Sequence, residues 1–180
     1  IISLSEDPAF NDAFFIMIQF PAIISVIIYF WRDLWPFGTT GDKRKALYGM
    51  WFRVVVAFLP AAILGVLLND FLEEHLFSPV PVAIALAVGG VILILLERRE
   101  RPVKIPSVAE MSMMTALAIG LFQCLAMIPG TSRSAATIIG AMILGMGRAA
   151  AEEVSFFLAI PTLLGAFACT VVRRGVSLAP

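Results

Sequence analysis

The stretch Ile128-Pro-Gly-Thr-Ser-Arg-Ser-Ala-Ala-Thr137 decides how the rest of the chain is read. From Met111 to Gly147 every residue is uncharged except Arg133. A lone guanidinium in a run that otherwise dissolves in lipid costs about 3 kcal/mol or more unless something pairs with it. Pro129-Gly130 breaks any helix there, and Thr131, Ser132, Ser134 and Thr137 surround the arginine with hydroxyls. The apolar pattern resumes at Ala135, so Ser134 is the expected N-cap of the helix that follows. Backbone N–H groups at a helix start, hydroxyl donors and an arginine fork together describe a site for an oxyanion, most naturally phosphate. The plainer alternative is an arginine held structurally by a carboxylate such as Glu153.

On either side of the break the chain is apolar but unequal in length. Val108 to Ile128 is rich in small residues and carries Gln123 near its far end. Ala135 to Gly147 supplies about 13 helical residues, a rise of about 20 Å, too short for a bilayer core of about 30 Å. A re-entrant helical hairpin over about 108–147 is therefore expected, returning near Arg148 to the side it entered. Non-helical backbone at membrane depth survives only where protein buries it or a wet cavity lines it, which again marks a site.

Further out, the segments are long enough to span. Ala13 to Trp31 is uncharged for about 19 residues, with Gln19 and Ser25 as its polar members. Leu47 to Leu68, interrupted by Pro60, is a second span, and Val80 to Leu96 is a third, where Gly89-Gly90 offers a close-packing face. Val154 to Val172 is the last. Asn69 to Ser78 reads as a short acidic turn, and its His75 has no second ligand nearby. The expected fold is all-α: one integral membrane domain over 1–180, polytopic, with about four full transmembrane helices and one re-entrant hairpin. Loops 32–46 and 97–107 are basic and so cytoplasmic, while 1–12 and 69–78 are acidic. Arg173-Arg174 would then lie outside, against that rule.

Composition agrees. The 180 residues are 60% hydrophobic and 14% charged, where a soluble domain has about 45–50% and about 25%. Thirteen basic and thirteen acidic residues cancel, which leaves no overall field to recruit nucleic acid. Cys124 and Cys169 both sit in apolar runs, arguing against a disulfide framework and against a zinc site. A re-entrant hairpin with a lone arginine also suits an anion transporter or channel, which would release no phosphate from a lipid diphosphate.

The stretch from Gln123 to Thr137 resembles the undecaprenyl-diphosphate phosphatase family of the bacitracin-resistance type. That family carries Pro-Gly-x-Ser-Arg-Ser-x-x-Thr, matched here at Pro129, Gly130, Ser132, Arg133, Ser134 and Thr137. The likeness continues in Glu153-Val-Ser-Phe-Phe-Leu-Ala-Ile-Pro161, in Ile18-Gln19, in Trp31-Arg32 and in Pro60-Ala-Ala-Ile-Leu-Gly65. Acid-phosphatase-like lipid phosphatases fit less well, since they place a histidine where this chain has Ile139.

The resemblance implies removal of the terminal phosphate from undecaprenyl diphosphate, recycling the lipid carrier for cell-wall synthesis. It implies a bacterial cytoplasmic (inner) membrane location, a site facing outward and dependence on a divalent cation, magnesium or calcium. By the same resemblance Arg133, Ser132 and Ser134 are catalytic. Thr137, Thr131, Gly130, Gln123, Glu153 and Gln19 are substrate-binding. The family's metal ligands and nucleophile lie in an earlier hairpin with paired glutamates, a serine-rich turn and a histidine. This chain is expected to begin after that hairpin and to lack the last spans, so it would hold one half of a two-part site.

Overall fold

Five helices account for most of the described residues, and each shows its sequence logic in what it buries. The computed structural model describes the backbone of residues 21, 24–31, 41–76, 79–98 and 102–174. The helices are α1 (Asp42–Leu76), α2 (Pro79–Glu97), α3 (Met113–Cys124), α4 (Arg133–Ile143) and α5 (Arg148–Arg174). Single 3-10 turns lie at Val108–Glu110 and Leu125–Met127. There is no β-strand among the described residues, only an isolated bridge between Ile105 and Met146.

Helical spacing selects the buried faces. In α1 Met50, Val54 and Ala57 turn inward; in α3 Ala116, Ile119, Gly120 and Gln123 do; in α5 Ala151, Val154 and Leu158 do. Phe157 is fully enclosed, and the ring of Phe30 meets it edge-on, 5.2 Å between centroids. The opposite faces stay open and apolar: Phe52 of α1 is 59% exposed and Ile84 of α2 is 58% exposed. In water such a belt is an aggregation hazard, whereas lipid tails cover it at no cost. Two stretches, Arg44–Leu68 (25 residues) and Arg148–Ala166 (19 residues), are long and apolar enough to cross a membrane.

Between helices in lipid, apolar burial no longer discriminates, and close packing of small residues takes over as the attractive term. Gly120 lets α3 lie directly on the backbone of α1 at Ala57, and Gly140 gives α4 room for the ring of Phe122. A side chain at either position would collide. These contacts stack α3 between α1 and α4, with α5 closing against α1 and α4.

The α3–α4 hairpin is tied at its open end. Ser112 caps α3, its hydroxyl accepting from the Thr115 amide at 3.1 Å. α4 ends in a Schellman motif: Gly145, at φ +94, donates to Met142 O at 3.1 Å, and Met146 donates to Ala141 O at 3.0 Å. Ile105 N then donates to Gly145 O at 3.0 Å and Gly147 N donates back to Ile105 O at 3.0 Å. The chain thus leaves the hairpin beside the point where it entered.

Three expectations are corrected. The acidic stretch after Leu68 is not a turn, because α1 continues to Leu76; Leu and Glu are good helix formers, and Pro79 at the first position of α2 marks the real boundary. Gly89-Gly90 makes no close-packing face among the described residues: a Cβ added at either would meet none of their atoms within 4 Å. The helix after the break starts at Arg133, capped by Ser132 rather than Ser134. The turn at Pro129-Gly130 reverses the chain so tightly that Ser132 already holds the extended cap conformation, φ −66 and ψ 122.

Candidate functional site

The break in the apolar run is a type II turn. Thr131 N donates to Ile128 O at 3.0 Å, with Pro129 second and Gly130, at φ +91, third. Gly130 is required twice over. Beyond its positive φ, a Cβ there would stand 2.5 Å from Val82 O and 2.8 Å from Val82 Cα on α2. Gly130, expected as a substrate contact, is pressed against a helix backbone. Thr131 is half-buried, its amide spent on closing the turn.

Ser132 then opens α4, its Oγ accepting from Ala135 N at 3.4 Å, and its hydroxyl lies 3.1 Å from that of Ser134. Both serines are exposed. Arg133, between them, turns the other way. Its Nη1 is enclosed and meets no hydrogen-bond partner, and among the described residues its guanidinium forms no ion pair. It lines a cavity of about 370 Å³ together with Gln123, Met127, Thr162 and the small residues Ala61, Ala62 and Gly65 of α1. This is the size and make-up of a small-molecule pocket: mostly apolar walls, a few placed polar groups.

Gln123 is 2% exposed, with Nε2 donating to Thr162 Oγ1 at 3.1 Å and Oε1 enclosed without a partner. Thr162 donates in turn to Leu158 O at 2.6 Å. The structure therefore brings Gln123 to Arg133, as expected for a shared site.

Thr137 and Glu153 are placed elsewhere. Thr137 is fully buried, its Oγ1 3.1 Å from Arg133 O, 3.0 Å from Ser134 O and 2.7 Å from Ser155 Oγ. Its one proton goes to the carbonyls of the first turn, so the Ser155 hydroxyl donates to it. That clamp fixes the start of α4 against α5, and the hydroxyl of Thr137, expected as a substrate contact, is enclosed and engaged within the protein. Glu153 lines a separate cavity of about 590 Å³, with Ser25, Tyr29, Glu152 and Phe156. It is not an ion-pair partner of Arg133, because the two side chains open onto different cavities. Gln19 lies outside the described residues.

Sequence reasoning missed Ser155 and Thr162. They stand two turns apart on one face of α5, a polar pair in an apolar helix, and that spacing was the available signal. Among the described residues no three His, Cys, Asp or Glu side chains converge to hold a metal.

Comparison with known proteins finds relatives along most of the chain. The chain is 44% identical over 97% of its length to the undecaprenyl-diphosphatase of Enterococcus faecalis, of which it covers 65%. It is 43% identical over 97% of its length to undecaprenyl-diphosphatase 1 of Clostridioides difficile, covering 64% of it. It is 50% identical over 86% of its length to the undecaprenyl-diphosphatase of Pseudomonas putida, covering 56% of it. The chain thus spans less than two thirds of the length of these relatives. The family model for bacitracin resistance protein BacA matches residues 1–179, and the chain belongs to that family.

Proposed function

We propose that this chain carries the arginine-bearing half of a prenyl-diphosphate phosphatase site, and that the whole protein hydrolyses undecaprenyl diphosphate to undecaprenyl phosphate and phosphate. One observation carries the reading: Arg133, whose Nη1 has no hydrogen-bond partner, on the wall of a mostly apolar cavity. A diphosphate on a prenyl chain is the matching ligand, an anion with an apolar tail. The planar guanidinium takes two oxygens at once and stabilises charge on the transferring phosphoryl group, which is the main demand of phosphoryl transfer. Ser132 and Ser134 stand exposed at the first turn of α4, outside the lining of this cavity, and their catalytic part rests on the family resemblance.

In this account the protein is an integral, multi-pass protein of the bacterial inner membrane, with α1 and α5 among about four spans. The α3–α4 hairpin is re-entrant and the site opens outward. The tie between Ile105 and Met146 supports a hairpin whose two ends share one side. Among the described residues no cluster of His, Cys, Asp or Glu could hold a metal, and the magnesium or calcium requirement is what the family resemblance implies.

The test is phosphate release from undecaprenyl diphosphate in detergent by the chain completed to the length of its relatives. It is run with magnesium or calcium, with a chelator, and beside Arg133→Ala. Release is expected, abolished by the chelator and reduced about a thousandfold in the variant, as for other phosphoryl-transfer arginines. Binding without release of phosphate would instead indicate a transporter.

A further inference from the structure

The orientation of the Gln123 amide is fixed by the hydroxyl beside it. A threonine hydroxyl has one proton, and Thr162 commits it to Leu158 O at 2.6 Å. Its Oγ1 can then only accept from Gln123. The amide edge facing Thr162, 3.1 Å away, must be the NH2 group. Oε1 is therefore turned from Thr162 as a bare acceptor in an enclosed space. An acceptor so enclosed is costly to leave unmet. A phosphate oxygen cannot meet it, being an acceptor itself. Arg133, on the wall of the same cavity, has the complementary deficit: a donor, Nη1, without an acceptor.

We propose that Thr162 and Gln123 form a positioning pair for Arg133: Thr162 orients the amide so that its carbonyl oxygen takes one N–H of the guanidinium when the anion docks. The other edge of the guanidinium is then presented to the phosphate. Neither residue touches the reacting atoms. Gln123, expected as a substrate contact, becomes the group that sets the angle of the fork, and Thr162 acquires a role through it. This inference rests on reading the cavity as the anion site.

The experiment is a steady-state double-mutant cycle on prenyl-diphosphate hydrolysis in the completed protein. It compares wild type, Thr162→Val, Thr162→Ser, Gln123→Met and the double variant Thr162→Val/Gln123→Met, with Arg133→Ala as reference. Thr162→Val frees the amide to flip, and kcat is expected to fall about tenfold with KM changed by less than about twofold. Thr162→Ser, which keeps the hydroxyl, returns wild-type kcat. The double variant is no slower than Gln123→Met alone, because the two residues act as one unit. A packing defect would not be rescued by serine while sparing KM. Wild-type kcat in Thr162→Val, or losses that multiply in the double variant, overturns the pair. If Arg133→Ala is inactive while Thr162→Val is normal, only the pair fails; if Arg133→Ala is normal, the anion site fails with it.

Discussion

At Gly130 two demands coincide that a sequence shows as one letter. The type II turn needs a positive φ, and the backbone of α2 at Val82 needs the space where a Cβ would be. Gly130→Ala is therefore expected to lower stability by about 2–4 kcal/mol, from left-handed strain plus forced movement of α2. Gly89→Ala, at a helical position with none of the described residues within 4 Å of the added Cβ, is expected to be neutral or to stabilise by up to about 1 kcal/mol. Thermal unfolding of both variants in detergent checks the contrast, and equal melting temperatures would contradict the contact with Val82. The hydroxyls around Arg133 separate in the same way. Ser132 and Ser134 face outward while Thr137 is spent on Ser155 and the first-turn carbonyls. All of them look alike in the sequence, because the division depends on where α5 lies.

The hairpin is the element on which most of the reading depends. The helix break at Pro129-Gly130 and the shortness of the helix after it were legible in the sequence. α4 has 11 residues, a rise of about 16 Å, about half the thickness of a bilayer core. The exact cap was not legible, since Ser132 and Ser134 are equally good capping residues and the turn geometry chose between them. The tie between Ile105 and Met146 was not legible either, being a backbone contact with no side-chain signature. If the hairpin re-enters from the cytoplasmic side and its site opens outward, a membrane-impermeant maleimide added to intact cells labels Ser132→Cys. Labelling confined to inverted vesicles would place the opening on the cytoplasmic face.

Across the whole molecule, apolar composition and run lengths were enough to read the all-helical architecture seen in the described residues. They were not enough to place the helices. Packing of α3 on α1 turns on a single glycine, Gly120, and the extension of α1 to Leu76 turns on helix propensity outweighing local charge. The candidate site was legible as far as Arg133 and Gln123, which the fold brings to one cavity; Glu153 was misplaced because its partner in space is the segment 25–30, far away in sequence. The central claim is that Arg133 receives a prenyl diphosphate in this cavity. Its most direct test is calorimetric binding of farnesyl diphosphate to this chain in detergent, wild type against Arg133→Lys. The account predicts binding that weakens at least about tenfold in the lysine variant, since an ammonium keeps the charge but loses the planar fork. Equal affinity in the two proteins would contradict it.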